Sequence, residues 1–276
     1  MLSLLYSQFS PDAITQSALR VSEHARNMQA LCVEEGIRHG KWQMDAAGRF
    51  TLSLPEAMQG PFRNGSYLLN RAFIYDESLQ VSTEFPLKVV QLETECAFRR
   101  LIDSAEQASA RTGLYALCGD YLPLYLQWKR VQTLDLPIAT PRYDYAFGNL
   151  PPVTAGFANT IYKSPFDLRS WKPNERPERD WHTFVVERPA GIPVVATVIN
   201  NTVLLNKTLD QDSEQLLHTA SRLISQLFGT AFGEVLFFAD DDKLTFAAFS
   251  HVTSQSIDAS IMDEIMQQEL VSLEEI

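Results

Sequence analysis

Apolar and polar positions in the first half of the chain follow helical and strand spacings in turn. Apolar residues at helical spacing predict one helix over residues 12–35, ended by Gly36. The same spacing predicts an amphipathic helix over residues 92–110. Alternation on both sides of the sequence DAAG predicts a hairpin over residues 41–54.

Shorter apolar segments continue the pattern. Residues 60–76 begin with turn-forming residues and then carry an apolar run. The apolar segment at 113–119 has glycine at both ends, which predicts a buried strand. Residues 122–135 predict a helix with Pro123 in its first turn. Because strands and helices take turns, an α/β arrangement is favoured for the first half.

The second half predicts a sheet built mainly from hairpins. A strand is predicted at residues 159–164, followed by a mobile loop rich in proline and charge at 165–180. Residues 182–209 predict three strands, with turns at the sequences RPAG and NN. The later elements are a helix capped by Ser213, a hairpin and a last helix, at residues 213–229, 232–252 and 257–270.

A connection rich in proline and glycine near residues 140–150 predicts a division into two domains. We expect an N-terminal α/β domain over residues 1–145 and a second domain over residues 146–276. The fold class is therefore α/β, with antiparallel sheet and helix (α+β) in the second part.

The composition of the chain narrows the classes of partner that we expect. Apolar residues make up 45% of the chain, enough for a sizeable core, and the net charge of −11 argues against a nucleic-acid partner. The three cysteines lie far apart without a CxxC pair, which predicts reduced, buried thiols in a cytoplasmic protein. No segment approaches the length of a membrane span, so a membrane partner is not expected. Homo-oligomerisation stays open.

Three adjacent aspartates, Asp240 to Asp242, have two interpretations. They hold a metal ion, or they solvate the tip of the hairpin with Lys243 reducing their repulsion. Three histidines, His182, His218 and His251, lack metal-ligand spacing, although His251 adjoins the last strand of this hairpin. The sequence contains neither a G-x-S-x-G nucleophile motif nor a phosphate-binding glycine motif, and a Ser-His-Asp triad stays open.

The order of elements from residue 159 onward resembles the ATP-grasp superfamily. The likeness is strongest to the ribosomal-protein-S6 glutamate ligase and the peptide-modifying ligases. The order includes a strand with Lys163, the sequence ERPAGIP, a long helix and the sequence GEVLFF before the acidic turn. Three segments of the first half are also similar, namely GSYLLNRAFI, TECAFRRLIDS and WKRVQTLDLPIATPRY.

The resemblance implies that two lobes hold ATP and Mg²⁺ between them. It also implies that a carboxylate is activated as an acyl phosphate for attack by an amine. Lys163 would be the second nucleotide lysine, or else a lysine at the edge of a strand. The first lysine position falls at Leu124, and Lys129 would substitute only if the register slips. Glu187 would face adenine and ribose, or else pair with Arg188 at a hairpin end.

The metal positions of the family are largely replaced. Glu234 matches the first metal-binding acid, but Ala248, Phe249 and Ser250 stand where the family has Glu-x-Asn. The strand that normally carries an arginine reads IPVVATVI, without a basic residue. The aspartate triplet then falls at the hairpin end remote from the metal, which favours the solvated tip.

Three functions follow from these observations. The first is an ATP-dependent carboxylate–amine ligase acting on a peptide or small metabolite. The second is a catalytically degenerate relative that serves as a binding or protein-partner module in a biosynthetic or maturation pathway. The third is an unrelated α/β enzyme.

Overall fold

The structure is a computed structural model, and it describes most of the chain. The described residues are 2–7, 12–22, 28–44, 46, 50–53, 61–62, 67–72, 95–113, 117–147, 156–157, 159–163, 170–171, 182–240, 243–254 and 257–274.

The N-terminal part is a parallel four-stranded sheet with strand order β2-β1-β6-β7. Its strands are β1 (Leu2–Tyr6), β2 (Met28–Cys32), β6 (Tyr67–Arg71) and β7 (Gln107–Ala108). The helices of this part are α1 (Ala13–Ser22), α2 (Val33–His39) and α3, which is described over residues 95–103. The parallel pairing and the alternation with helices confirm the α/β arrangement predicted for this part.

The single helix predicted over residues 12–35 is wrong. This segment forms α1, β2 and the start of α2, and β2 pairs in parallel with β1 from Leu2↔Met28 to Tyr6↔Cys32. The short apolar run at 28–32 is compatible with helix or strand, because five residues are too few for periodicity to decide. Pairing with a distant strand decides it here.

The hairpin predicted over residues 41–54 is confirmed as β3 (Lys41–Met44) and β4 (Phe50–Ser53), which β5 (Pro61–Phe62) extends to three strands. The strand predicted at 113–119 is not found in the residues of that segment that the structure describes. Leu117 and Cys118 are buried, but only an isolated bridge between Thr112 and Gly119 forms.

The central sheet is antiparallel, with strand order β11-β10-β12-β9. Its strands are β9 (Tyr143–Phe147), β10 (Thr160–Lys163), β11 (Ser170–Trp171) and β12 (His182–Glu187). The strand predicted at 159–164 is thus confirmed. The mobile loop predicted at 165–180 lies outside the described residues, apart from the two residues of β11. The helix predicted over 122–135 is confirmed as α4 (Leu124–Val131), with Pro123 just before its first turn.

The third sheet has five strands in the order β14-β13-β15-β16-β8. They are β8 (Ile138–Ala139), β13 (Ile192–Ile199), β14 (Thr202–Leu205), β15 (Phe232–Asp240) and β16 (Lys243–Ser250). The predicted hairpin over 232–252 is confirmed, and so are the three strands in 182–209. However, the sequence RPAG does not close a hairpin, because β12 and β13 belong to different sheets. The NN turn does close one, with Asn200 at a φ of +52°.

Helix α5 (Gln211–Leu227) covers one face of the third sheet through Leu217, Ala220 and Ile224. It was predicted to begin at Ser213, but its N-cap is Asp210. The Asp210 carboxylate accepts a hydrogen bond from the backbone N–H of Ser213 at 2.9 Å. Aspartate is a strong N-cap residue, and the N-cap therefore lies three residues earlier in the chain than predicted.

The last helix, α6 (Ala259–Glu274), joins the N-terminal and third sheets. Met262, Met266 and Leu270 of α6 lie in one core with residues of β1, α1, β6, β13 and β15. The division near residue 145 remains a prediction. Elements that precede it, α4 and β8, pack on or pair with strand β16 that follows it.

Among the described residues, no helix is long and apolar enough to cross a membrane. Cys32 and Cys118 are buried as predicted, whereas Cys96 is exposed on α3, so the prediction of three buried thiols is wrong for this residue.

Candidate functional site

Glu234 lies near the start of β15, on the face of the third sheet that looks away from α5. Its neighbours in the sequence, Gly233 and Val235, are buried, and Val235 belongs to the core under α5. Because side chains alternate along a strand, Glu234 projects from the opposite face. The strand register sets it beside Thr197 of β13 and Ser250 of β16.

Hydroxyl groups surround the Glu234 carboxylate. Thr197 donates a hydrogen bond to Oε1 at 3.2 Å, and Ser254 donates one to the same oxygen at 2.9 Å. The hydroxyl of Ser250 instead donates to the backbone oxygen of Val252 at 2.8 Å. The carboxylate is thus held by two hydroxyl donors and has no cation partner among the described residues.

The next cross-strand pair on this face is apolar, since Leu236 lies opposite Ala248. In the part of the chain that the structure describes, no group of three His, Cys, Asp or Glu side chains comes together at a metal-binding distance. Mg²⁺ prefers an octahedron of oxygen ligands and is usually held by one or two carboxylates together with substrate phosphates. One carboxylate engaged by hydroxyl donors, next to a leucine–alanine pair, does not fit that requirement.

Glu187 lies at the end of β12, where the central sheet leads into the third. Arg142 binds it through two hydrogen bonds, Nε to Oε2 at 2.5 Å and Nη2 to Oε1 at 2.6 Å. Arg142 also donates to the backbone oxygen of Gly156 at 2.6 Å and lies over the ring of Phe157. The ion-pair partner of Glu187 is therefore Arg142, rather than Arg188 as one interpretation of the sequence had it.

Lys163 and Glu187 do not share a face of the central sheet. In the antiparallel pairing of β10 with β12, Thr160 lies opposite Glu187 and Tyr162 opposite Val185. Lys163 is three positions beyond Thr160 along the strand, an odd spacing that turns its side chain to the other face. The structure places both residues in the central sheet, but it does not bring them together on one surface.

The remaining predicted positions lie on α4 and at the hairpin tip. Lys129 is on the exposed side of α4, whereas Leu124 is buried in the core. Asp240 is exposed and pairs across the turn with Lys243. Asp241 and Asp242 lie outside the described residues.

Aromatic residues of the central sheet pack on α4. Phe184 of β12 is fully buried, stacks on Trp128 at a centroid distance of 5.7 Å and meets Tyr143 and Tyr145 edge-on. The Trp128 Nε1–H donates to the backbone oxygen of Ala247 at 2.8 Å, at the bulge in β16. These aromatic side chains form core between the central sheet and the third sheet.

A buried polar network near the ends of β1 and β6 was not found from the sequence. Arg71, the last residue of β6, forms an ion pair with Asp12 and donates to the backbone oxygen of His251 at 2.7 Å. Thr253 donates to Asp12 from both its backbone N–H and its hydroxyl, at 2.9 and 2.8 Å. The detectable sequence signals were an aspartate directly before a helical run and an arginine ending an apolar strand.

His251 lies at the centre of this network and is nearly inaccessible. Its Nε2 lies 2.8 Å from the backbone oxygen of Asp120, and its Nδ1 is buried without a partner among the described residues. Burial, together with the positive charge of Arg71, lowers the pKa of His251 to about 4. His251 is thus a neutral, buried residue at ordinary pH.

Comparison with known proteins gives matches among solved structures. The ATP-grasp ligase PsnB complexed with a minimal precursor has a TM-score of 0.69 and 11% identity, over 98% of this chain and 97% of that chain. The macrocyclase MdnC bound to the precursor peptide MdnA, from Microcystis aeruginosa, has a TM-score of 0.65 and 11% identity, over 98% and 100%.

A RiPP-associated ATP-grasp ligase from Chryseobacterium gregarium, in complex with ADP and with a leader and core peptide, has a TM-score of 0.63 and 10% identity, over 98% and 96%. No family model and no curated protein sequence matches the chain. Sequence identities this low are evidence for the fold alone. The structural agreement extends over nearly the whole length of each chain. The chain therefore has the ATP-grasp fold.

Proposed function

We propose that this protein is a peptide-binding module with the ATP-grasp fold, which acts as a partner in peptide modification without performing metal-dependent ligation itself. The observation that carries the proposal is the isolation of Glu234. Its carboxylate accepts hydrogen bonds from Thr197 and Ser254, and the adjacent pair on its face of the sheet is Leu236 and Ala248.

Phosphoryl transfer depends on positioning and on neutralising the charge of the phosphates, which metal ions and cationic side chains provide. Here β13 carries no basic residue, and Lys163 and Glu187 project from opposite faces of the central sheet. Among the described residues, the chain therefore retains the scaffold but has few of the charges that the reaction needs.

The peptide part of the proposal is supported by the structural neighbours. Three of them are described with a precursor or a leader and core peptide. They match this chain over nearly the whole length of both chains, which supports a peptide as the partner in this proposal.

The second candidate is an ATP-dependent carboxylate–amine ligase that uses ATP and Mg²⁺ as cofactors. The observation in its favour is the position of Lys163 and Glu187 on β10 and β12, which pair with each other in the central sheet. In this candidate Lys163 and Lys129 contact phosphates, Glu187 contacts the nucleoside and Glu234 is the metal ligand.

One set of measurements separates the two candidates. The melting temperature is followed during titration with ATP, ADP and Mg²⁺, singly and together, and ADP formation is measured with a pool of peptides. A ligand that binds the native state must stabilise it. Because the proposed module holds no Mg²⁺, we expect no Mg²⁺-dependent rise in melting temperature and no ADP above background. A Mg²⁺-dependent rise that is lost in Glu234→Gln, together with ADP formation, would establish the ligase instead.

Peptide binding is tested separately with a display library of random peptides selected on the immobilised protein. We expect an enriched sequence motif whose binding is the same in Mg²⁺ and in EDTA. Failure to enrich any motif over several rounds would contradict the binding module.

A further inference from the structure

A pocket of about 250 Å³ lies on the side of the third sheet that α5 covers, next to the N-terminal sheet. Its walls come from the segment after β7, the turn between β13 and β14, and the end of α5. Val198 lines it, whereas the adjacent Thr197 projects from the opposite face to reach Glu234. The pocket is therefore separate from the candidate site, and nothing in the proposed function uses it.

The pocket is cationic although the chain as a whole carries a net charge of −11. Arg111 and Arg222 both line it, together with the amide side chains of Asn201 and Gln226. No carboxylate is among its described lining residues. The two arginines create a local positive potential that attracts a small anion, whereas the negative net charge of the protein repels one. The presence of the two arginines at this pocket therefore needs an explanation.

Arg111 is held in place by the chain itself. Its Nη1 donates to the backbone oxygens of Ile102 and Ala105 at 3.1 and 2.9 Å, and its Nη2 donates to that of Glu106 at 3.0 Å. These acceptors lie at the end of α3, so they fix the guanidinium without neutralising it. An arginine fixed in this way loses little conformational freedom when it binds a ligand.

Arg222 is not explained by interactions within the protein. It makes no hydrogen bond or ion pair with the described residues, and the helix positions three and four residues away from it are His218, Thr219, Ser225 and Gln226, none of them acidic. A helical ion pair is therefore absent.

Nor is Arg222 needed to satisfy the end of α5. The Ile224 carbonyl accepts from the N–H of Phe228, that of Ser225 accepts from Thr230, and that of Gln226 accepts from Gly229. The last carbonyls of the helix thus have backbone partners, which removes capping as the reason for this arginine.

We propose that this pocket binds a small anion, a phosphate or carboxylate group, between Arg111 and Arg222. The guanidinium of Arg222 provides paired N–H donors that match both kinds of anion, and Arg111 contributes its positive charge. The amides of Asn201 and Gln226 line the same pocket and offer further donors. The volume admits one such group with a short substituent and excludes a long polyanion.

The test uses the full chain and three probes: sodium phosphate, sodium acetate and sodium chloride, compared at equal ionic strength. At ten times its dissociation constant, the bound anion is expected to raise the melting temperature by about 2 to 4 °C relative to chloride. A response to phosphate alone assigns a phosphoryl ligand, and a response to acetate alone assigns a carboxylate; both support the pocket.

Arg222→Gln is expected to abolish the response. Arg100→Gln removes the same charge from an exposed position on α3 outside the pocket, and it is expected to retain the response. Arg111→Lys, which keeps the charge but loses the hydrogen bonds that hold it in place at the end of α3, is expected to weaken binding about tenfold. A response no greater than that to chloride, or an equal response in Arg222→Gln and the unchanged protein, would overturn the proposal.

Discussion

Asp12 and Arg71 form an ion pair from which solvent is excluded, and it joins the start of α1 to the end of β6. Thr15 and Thr253 complete the coordination of the carboxylate, and the backbone oxygens of His251 and Phe232 accept from the guanidinium. Burial alone would raise the pKa of Asp12, but Arg71 and the hydrogen bonds outweigh it and lower that pKa. The pair fastens the N-terminal sheet to the segment that follows β16.

Replacing one partner of this pair should cost much of the stability of the protein. Asp12→Asn removes the carboxylate that pairs with the buried Arg71, and we expect the free energy of unfolding to fall by about 3 to 5 kcal/mol. The matched control is Asp263→Asn, which breaks the solvent-exposed pair with Arg20 and should cost about 0.2 to 1 kcal/mol. Urea denaturation measures both, and similar losses in the two variants would contradict the structural role of Asp12.

His251 should make the stability dependent on pH. Its folded pKa of about 4 lies below the ordinary value of 6.5, because burial disfavours the charged imidazole. The unfolded chain therefore binds the extra proton first. The contribution is fully present above pH 6.5 and is lost as the pH falls towards 4, by an amount on the order of 3 kcal/mol.

Denaturation of the unchanged protein and of His251→Gln across pH 4 to 7 checks this dependence. The variant should be less stable at pH 7 but should show a flatter slope between about pH 4.5 and 6.5. Asp12 acts in a lower range, because its stabilisation is lost only below its unfolded pKa near 3.8. Parallel slopes in the two proteins would rule out His251 as the titrating group.

Trp128 should stabilise the bulge in β16 through the hydrogen bond that its indole N–H donates. Trp128→Phe retains most of the aromatic packing on Phe184 but removes the donor to Ala247, and we expect a loss of about 1 to 3 kcal/mol. Lys129→Ala, on the exposed side of the same helix, should change the stability by less than about 0.5 kcal/mol. The comparison fails if the two variants unfold at the same urea concentration.

Two glycines with positive φ provide a matched pair. A Cβ at Gly191 would lie 2.0 Å from the backbone oxygen of Ala239, whereas a Cβ at Gly229 would meet no atom within 4 Å. Both alanine variants incur left-handed strain of about 1 to 2 kcal/mol, but only Gly191→Ala also displaces the end of β15. Gly191→Ala should therefore have the lower melting temperature. The reverse order would contradict the close approach of Gly191, just before β13, to Ala239 of β15.

Local patterns were enough to predict the elements whose pairing is also local. The hairpin of β15 and β16 and the helix α5 carry long, consistent periodicities, and the structure confirms them. The predictions failed where pairing with distant chain segments decides the secondary structure. The run at 28–32 became a strand because β1 lies beside it, and the sequence RPAG joins two sheets because β12 pairs with β9 and β10.

The candidate site shows the same division. The sequence predicts that the metal-binding positions on β16 are replaced, because Ala248, Phe249 and Ser250 are apolar or small residue types, and this stays a prediction. The partner of Glu187 was not visible, since Arg142 is 45 residues away and only the pairing of β9 with β12 brings it close. The network of Asp12, Arg71 and His251 required three distant segments to meet.

Helix α6 has a consequence for how the protein acquires its shape during synthesis. Its apolar side chains complete a core that also contains side chains of β1 and α1, which are synthesised long before α6. The apolar side chains of β1 and α1 remain exposed to water until residues 259–274 have been synthesised, more than two hundred residues later. We therefore expect the nascent chain to expose this core to chaperones until α6 has been synthesised, and a stop codon introduced before α6 to yield an insoluble product.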